Sequence, residues 1–510
     1  MIVLVNPNTE IQPRDLFTSG IPYFPTLLAT LAASLLHEGR SVAVVDSLGL
    51  APKRVTPWRR WWIQGLLPAE TAEQVVTHAP EMVFVFAGNV VAHDVTLTLI
   101  KEIRQRLSAP IIVLENTQSV TGYSLRHVLA DFFSAGATFV LTGESDARAP
   151  LLLKVLAEGG RPIEDIDGLY AIGGGRVEGR NPENVVENLD ALPFPAWPLF
   201  PLEGYWSLGY GHGPTRGRSL PLLTSRGCPY PCAFCVVPET SQGRWRKRSA
   251  VNVVNEMAHW KKTLGVEEFH LEDLNPSLDE DRLREMAQLL LERDLRVRWR
   301  IVAGMKLEPL RRRDTVEQMA AAGCDYVSFS PESGSPRVLA AMKKSFPFDS
   351  ALGTVKDLSR LGVRTQACFV LGFPGEEDRD RRETKAYVKK LAKAGLDETA
   401  FFVASPLPGS ALFETMKRPE SLADLSFVPG GGAEGRVLRR WRRRLYATFL
   451  LTKVLRFPFR VIAQSLRLLF RKFDTKMEMA PYRALCLCWW RWRLRGGAGD
   501  HGDGVPGANS

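Results

Sequence analysis

The stretch SRGCPYPCAFC, residues 225–235, places three cysteines within eight positions, spaced C-x3-C-x2-C. Two prolines restrict the backbone around them and a glycine permits a tight turn, so three thiolates can converge on one inorganic centre. They are Cys228, Cys232 and Cys235. Structural zinc sites and iron–sulfur cubanes take four protein ligands, and no further Cys or His follows before His259. Three thiolates on a cubane leave one iron open to another ligand. The alternatives are a group of buried free thiols or a zinc site with a distant fourth ligand.

The cysteines follow the first of six apolar segments that alternate with helical patterns from about residue 219 onward. Continuous apolar strands between helices are typical of a parallel sheet. Six of them predict a parallel barrel or partial barrel, in which chemistry lies at the carboxyl ends of the strands. Each segment ends in a polar or glycine-rich turn. The segments are LPLLTSRG (220–227), EEFHLEDL (267–274), VRWRIVAG (297–304), YVSFSPES (326–333), TQACFVLGFPG (365–375) and ETAFFVASPLPG (398–409).

Residues 1–150 show the same alternation with different segments, beginning with IVLVNP (2–7) and ending with TFVLTGE (138–144). This pattern predicts a doubly wound, Rossmann-like parallel sheet, which binds ligands at the carboxyl ends of its strands. The turns there are NPN (6–8), DSLG (46–49), AGN (87–89), ENTQS (115–119) and TGES (142–145). They make Asn6, Asp46, Gly143 and Glu144 candidate binding residues.

The composition is that of an ordinary globular protein with two or three domains: 510 residues, 45% hydrophobic and 24% charged. The apolar N-terminus lacks the basic region and length of a secretory signal. Seven unevenly spaced cysteines argue against a disulfide framework. We therefore expect a cytoplasmic protein, where clustered cysteines more often bind metal.

The basic charge belongs to one C-terminal segment. Residues 436–495 hold seventeen Lys/Arg and two Asp/Glu, whereas the rest of the chain has 49 basic and 54 acidic residues. Arginines alternate there with Leu, Phe and Trp at helical spacing, which favours an amphipathic helix in a membrane interface. Packing on the barrel or on a partner subunit is the second interpretation, and nucleic acid is the least favoured. The longest charge-free run, LYATFLLT, has eight residues, too few to span a bilayer.

The cysteine stretch resembles the signature of the radical S-adenosylmethionine superfamily, C-x3-C-x2-C with an aromatic residue, here Phe234, before the last cysteine. The resemblance implies that Cys228, Cys232 and Cys235 ligate a 4Fe-4S cluster whose open iron binds S-adenosylmethionine. One electron then cleaves the sulfonium to methionine and a 5′-deoxyadenosyl radical. A one-electron reductant such as flavodoxin or ferredoxin is the implied partner.

Further turns resemble the same family. FHLEDLNPSLD (269–279) implies that Glu272 and Asp273 lie near the amino group of S-adenosylmethionine. The Glu-Ser-Gly segment puts Glu332 and Ser333 near its methionine or ribose part. LGFPGEED (371–378) resembles the fifth-strand turn, which packs on the adenine; its candidates are Gly372, Pro374 and Gly375. Outside these turns, Cys324 and Cys368 have apolar neighbours, which predicts buried, inert thiols.

The doubly wound domain and its connector resemble the cobalamin-binding subclass of this superfamily. By that resemblance, methylcobalamin sits between the N-terminal sheet and the barrel, and TGESDA (142–147) lies near the corrin or the domain interface. The Asp-x-His-x-x-Gly motif, whose histidine coordinates cobalt, is absent from the sequence. This departure puts the cofactor in question, although many members of the subclass lack the motif.

The interpretation is a cobalamin-dependent C-methyltransferase acting on a lipid, isoprenoid, tetrapyrrole or other natural product. The first alternative is a non-methylating oxidative cyclase or rearrangement enzyme. The second, a tRNA methylthiotransferase, is disfavoured because no cysteine precedes Cys228. A membrane-associated scaffold with an inactive barrel is the non-catalytic alternative. The predicted organisation is a doubly wound domain at 1–150, a connector at 151–218, the barrel at 219–430, a basic helical tail at 436–495 and a disordered C-terminus at 496–510.

Overall fold

The computed structural model describes residues 1–497; of the C-terminus predicted to be disordered, residues 498–510 lie outside this range. The strands are β1 Ile2–Asn6, β2 Thr9–Ile11, β3 Val42–Asp46, β4 Val55–Trp58, β5 Trp61–Gln64, β6 Met82–Ala87, β7 Ile111–Glu115, β8 Phe139–Leu141, β9 Leu169–Gly173, β10 Arg176–Gly179, β11 Ser219–Leu222, β12 Ser225–Arg226, β13 Arg246–Lys247, β14 Glu268–Leu271, β15 Arg298–Met305, β16 Cys324–Glu332, β17 Arg364–Leu371 and β18 Glu398–Val403.

The helices are α1 Thr26–His37, α2 Ser47–Leu50, α3 Pro68–Thr77, α4 His93–Arg106, α5 Leu129–Ala135, α6 Ser145–Ala157, α7 Pro162–Asp165, α8 Leu202–Trp206, α9 Val237–Thr240, α10 Ala250–Leu264, α11 Glu280–Glu292, α12 Arg313–Ala321, α13 Pro336–Ala341, α14 Phe348–Arg360, α15 Asp378–Ala394, α16 Ala411–Thr415, α17 Gly432–Arg456, α18 Pro458–Leu469 and α19 Lys476–Gly497. Both α/β units and the helical tail are confirmed.

The N-terminal sheet has seven strands in the order β10-β9-β8-β7-β6-β1-β3. Its five strands from β8 to β3 in that order run parallel. Alternate residues face opposite sides: Leu4 packs with α1 and α6, whereas Val3 and Val5 pack with α3, α4 and α5. Two antiparallel strands, β9 and β10, come from the segment predicted as connector, so the sheet extends beyond residue 150.

The second sheet has the order β11-β14-β15-β16-β17-β18, and all its neighbouring strands are parallel. Helices α10, α11, α12, α14 and α15 connect its strands. Six parallel strands that do not close on themselves form the predicted partial barrel. Because the strands run in one direction, all the predicted site turns of this domain meet at one edge.

Buried ion pairs join the two domains. Glu144 accepts hydrogen bonds from both terminal nitrogens of Arg246, over 2.8 and 2.9 Å, and Arg226 pairs with Asp146. All four side chains are more than nine-tenths buried. Buried charges are tolerated when they are paired, so these pairs hold the end of β8 against the turn that leads into the cysteines.

The C-terminal helices pack on both domains. Leu445 and Phe449 of α17 are fully buried, and the indole N–H of Trp441 donates to Asp378 over 3.0 Å. In α19, Arg483 donates to the carbonyls of Leu16 and Ser19. Packing on the barrel, the second sequence interpretation, therefore accounts for the buried faces of the tail. Within residues 1–497, no helix is both long and apolar enough to cross a membrane.

Candidate active site

A cavity of about 780 Å³ lies where the carboxyl edges of the two parallel sheets face each other. The turns after β1, β6 and β7 line it from the N-terminal domain, and the inner faces and ends of β14 to β18 line it from the barrel. Residues of α17 and α19 complete the wall. Concave sites of this size, with a few convergent polar groups, are typical of ligand-binding pockets.

Cys228, Cys232 and Cys235 all line this cavity. Gly227 fixes the start of their loop, because its φ is +76° and a Cβ there would lie 2.0 Å from the carbonyl oxygen of Arg244. Within the loop, the N–H of Cys235 donates to the carbonyl of Cys232 over 3.1 Å. Among residues 1–497, no three His, Cys, Asp or Glu side chains are grouped closely enough to ligate a single metal ion; the thiolates of a 4Fe-4S cubane instead bind separate irons.

Two lysines accompany the cysteines. Lys344 donates to Glu332 over 2.7 Å, and both side chains are buried. Lys306 lies 3.8 Å from the ring centre of Tyr230, inside the cysteine loop. Burial raises the pKa of the Cys228 and Cys232 thiols, and the charges of both lysines oppose that shift. Burial also raises the pKa of Cys235, to about 12. The positive charges favour the thiolate form, which is the form that ligates metal.

Glu332 has a left-handed backbone, with φ of +63°, which is uncommon for a residue with a side chain. It ends β16, next to an irregularity in the pairing with β17. The strand end turns there, and the carboxylate lies in the cavity wall facing Lys344. Strain of this kind is common at functional sites.

A second polar group lines the cavity: Tyr23, His212, Glu272 and Lys476. His212 Nδ1 lies 3.2 Å from Glu272 Oε1, and the rings of Tyr23 and His212 are 4.6 Å apart. Burial raises the pKa of Glu272 to about 8. Burial, together with the charge of Lys476, lowers the pKa of His212 well below its usual value.

The structure brings seven of the predicted site residues into the cavity wall. They are Asn6, Cys228, Cys232, Phe234, Cys235, Glu272 and Glu332. The other eight are absent from that wall: Asp46, Gly143, Glu144, Asp273, Ser333, Gly372, Pro374 and Gly375.

Several of these eight hold the turns in shape. Asp273 accepts from the N–H and the hydroxyl of Thr224, at 3.0 and 2.7 Å, and so fixes the end of the first barrel strand. Ser333 accepts the N–H of Ser335 over 3.1 Å. The N–H of Gly372 donates to Glu376 over 2.7 Å.

The remaining five of these eight residues contact protein groups outside the cavity wall. The carbonyl of Gly375, next to Pro374, accepts from Arg337 over 2.8 Å. Asp46 accepts from the Tyr205 hydroxyl over 2.7 Å. The N–H of Gly143 donates to Glu115 over 2.8 Å, and Glu144 forms the interdomain ion pair described above.

Sequence reasoning missed Lys306, Lys344, Tyr23, His212 and Lys476. Lys306 and Lys344 could have been found from the sequence, since each lies within about a dozen residues after a predicted strand end. Tyr23, His212 and Lys476 come from segments far apart in the chain, and no sequence pattern connects them. Cys368 was expected in the core but lines the cavity, whereas Cys324 is buried as expected.

Comparison with known proteins identifies the domain that carries the three cysteines. The model of the radical SAM superfamily matches residues 222–401. An uncharacterized methyltransferase of Pyrococcus horikoshii is 26% identical over 414 residues, 81% of this chain and 82% of its own. An anaerobic magnesium-protoporphyrin IX monomethyl ester cyclase of Synechocystis sp. is 23% identical over 384 residues, 74% of this chain and 70% of its own.

Among solved structures, one is the radical S-adenosylmethionine methyltransferase TsrM from Kitasatospora setae, with its tryptophan substrate and an analogue of S-adenosylmethionine bound. It has a TM-score of 0.65 at 19% identity, and the match covers 88% of both chains. A second structure of TsrM holds cobalamin and a 4Fe-4S cluster. This likeness is one of fold. Residues 222–401, which include the three cysteines, are a radical S-adenosylmethionine domain, and the chain has the fold of TsrM.

Proposed function

We propose that this enzyme is a cobalamin-dependent methyltransferase acting on an unactivated carbon of a small natural product, with a lipid, isoprenoid or tetrapyrrole among the candidates. The observation that carries the proposal is the cavity between the two parallel-sheet edges, with three cysteines in its wall. When bound, a 4Fe-4S cluster supplies one electron to S-adenosylmethionine, and cobalamin supplies the methyl group. The implied electron donor is a flavodoxin or ferredoxin.

The residues around the cysteine loop fit a cluster. Cys228, Cys232 and Cys235 would hold it, and the buried lysines Lys306 and Lys344 would balance its negative charge. Glu332, already paired with Lys344, offers a carboxylate in the same wall to the amino group of S-adenosylmethionine, and Glu272 offers a carboxyl oxygen.

The N-terminal edge of the cavity fits a corrin, whose rim carries amide side chains. Amides and hydroxyls line this edge at the ends of three parallel strands, where doubly wound sheets bind cofactors. They include Asn6, Asn116, Gln118, Ser119 and Thr121. No histidine of residues 1–150 is in the wall; His93, for example, contacts Tyr123 and Asp131 instead. We therefore propose that this domain binds cobalamin without an imidazole ligand of its own.

The test is anaerobic reconstitution with iron, sulfide and hydroxocobalamin, followed by ultraviolet–visible spectroscopy and product analysis. Methylation yields both S-adenosylhomocysteine and 5′-deoxyadenosine. A cluster spectrum without a corrin band would refute the cobalamin mechanism, and 5′-deoxyadenosine alone would indicate a non-methylating cyclase or rearrangement enzyme. Cys228→Ala should abolish turnover; an unchanged biological output in that variant would indicate a scaffold.

We further propose that the junction of α17 and α18 contacts an anionic membrane surface. Its apolar residues recur at helical spacing and are exposed, Phe459 by 83% and Leu469 by 76%. Residues 450–472 contain six Lys/Arg and no Asp or Glu, a charge that complements anionic lipids. This surface, the α17–α18 patch, consists of Leu451, Leu455, Phe459, Ile462, Leu466, Leu469 and Phe470.

Vesicle sedimentation tests the α17–α18 patch. The full chain should bind vesicles containing phosphatidylserine more strongly than those of phosphatidylcholine alone, and the variant Phe459→Gln/Leu469→Gln/Phe470→Gln should lose that binding. The matched control is Leu485→Gln, which alters an apolar side chain of α19 that is 70% exposed. Equal sedimentation of the triple variant and the unmodified chain would overturn the proposal.

A further inference from the structure

The cavity has two charged regions rather than one. Cys228 and Cys232 lie in the electrostatic field of Lys306, Lys344 and, for Cys232, Glu332. Lys476, at the start of α19, instead interacts with Cys368, Glu398 and Glu272. The cation from the tail is thus not among the charges that act on Cys228, Cys232 or Cys235.

We call Tyr23, His212 and Lys476 the donor pole, since each directs hydrogen-bond donors into the cavity. Lys476 uses one hydrogen on the carbonyl of Val302, over 2.9 Å, and has two others. Among residues 1–497, neither the Tyr23 hydroxyl nor His212 Nε2 has a hydrogen-bond partner. All three side chains line the cavity, so these donors are available to a ligand.

The neighbouring carboxyl groups do not accept hydrogen bonds from these free donors. Glu398 accepts from the Tyr326 hydroxyl over 2.5 Å and from the N–H of Met477 over 2.6 Å. Glu272 is engaged with His212. Burial raises the pKa of both acids, which favours their neutral forms. A neutral Glu272 donates to His212 Nδ1 and leaves the imidazole hydrogen on Nε2, directed at the ligand.

We propose that the donor pole binds an anionic oxygen group of the substrate, a carboxylate, phosphate or phosphonate. Desolvation in the cavity lowers the pKa of Lys476, and a bound anion opposes that shift by supplying a counter-charge. Three donors can share the oxygens of one such group. The proposal rests on the proposed function, since it takes the cavity as the active site. It also assigns a role to the C-terminal tail, because Lys476 brings α19 into contact with the substrate.

The experiment titrates the reconstituted holoprotein with phenylphosphonate and with benzoate, using isothermal calorimetry without reductant. Benzamide and benzylamine are the neutral and cationic counterparts. We expect the anions to bind and Lys476→Met to weaken them at least tenfold, with recovery in Lys476→Arg. The matched control is Lys343→Met, which alters an exposed lysine and should leave anion affinity within twofold. Whichever of the two anions binds more tightly indicates whether the substrate group is a phosphorus oxyacid or a carboxylate.

Several outcomes would overturn the proposal: no anion binding to the unmodified protein, stronger binding of benzylamine, or equal anion affinity in Lys476→Met. S-adenosylmethionine affinity is measured in parallel. A loss there in Lys476→Met, with anion affinity unchanged, would assign the pole to that molecule. Iron content and circular dichroism confirm that each variant is folded. These measurements need no turnover, so they are independent of whether the enzyme methylates.

Discussion

The side-chain oxygen of Gln118 accepts a hydrogen bond from the backbone N–H of Gly227 over 3.1 Å. Gln118 belongs to the turn after β7 of the N-terminal domain, and Gly227 directly precedes Cys228. Both groups are buried, and the preceding Arg226 pairs with Asp146 of the same N-terminal domain. The cysteine loop is thus held by the domain opposite, which couples the geometry of the two halves of the cavity.

Gln118→Ala should make the cluster less stable without unfolding the barrel. The substitution leaves a buried N–H unpaired, which costs about 1–3 kcal/mol, and frees the start of the cysteine loop. We expect faster loss of the cluster absorbance to an iron chelator under anaerobic conditions. Gln288→Ala, on the exposed face of α11, is the control and should match the unmodified protein. Identical decay in both variants would contradict the coupling.

Lys344→Met should make the cluster harder to reduce. Removing a buried cation and leaving Glu332 unpaired both increase the negative charge near the cysteines. We expect the reduction midpoint to fall by tens of millivolts, measured by redox titration with electron paramagnetic resonance. The neighbouring Lys343 is exposed, so Lys343→Met should leave the midpoint unchanged. A midpoint that does not move in Lys344→Met would show that this charge is screened.

The fold and the cluster loop could be predicted because their signals are local. The spacing of Cys228, Cys232 and Cys235 lies within one turn, and the β/α alternation places that turn at a strand end. The β/α alternation predicts which residues lie at the carboxyl edge of the sheet, but not the direction in which each side chain points. Asp273 therefore bonds Thr224 while its neighbour Glu272 lines the cavity.

The donor pole shows where sequence reasoning fails. Tyr23, His212 and Lys476 meet only because the N-terminal domain, the connector and the tail pack on one barrel. The tail illustrates a second limit, since helical periodicity identifies an apolar face but not what covers it. Phe449 is buried in the protein, whereas Phe459 is exposed to solvent.

Trp441→Ala should destabilise the protein, because the tail is part of its core. Trp441 is 6% exposed and donates to Asp378; truncating a buried tryptophan costs about 3–5 kcal/mol. We expect a clear fall in the thermal midpoint of the holoprotein, measured by scanning fluorimetry. Trp492, 67% exposed on α19, supplies the control: Trp492→Ala should change stability by no more than about 0.5 kcal/mol. Equal midpoints would mean that the tail is dispensable for stability.

Glu10→Gln should remove a pH dependence of stability. Burial, reinforced by the charge of Asp94, raises the pKa of Glu10 to about 8, although Arg59 and Arg60 act against the shift. A carboxyl whose pKa is raised by folding binds more protons in the folded state. Its contribution is therefore fully present below the unfolded value of 4.5 and falls as the pH rises towards about 8.

Between pH 6 and pH 8 this loss amounts to about 2 kcal/mol. Glutamine keeps the acceptor for the N–H of Val95 and does not ionise, so Glu10→Gln should gain stability relative to the unmodified protein as the pH rises. Thermal midpoints at pH 6, 7 and 8 measure the difference, with the exposed Glu73→Gln as control. A constant difference across this range would show that Glu10 titrates near its unfolded pKa.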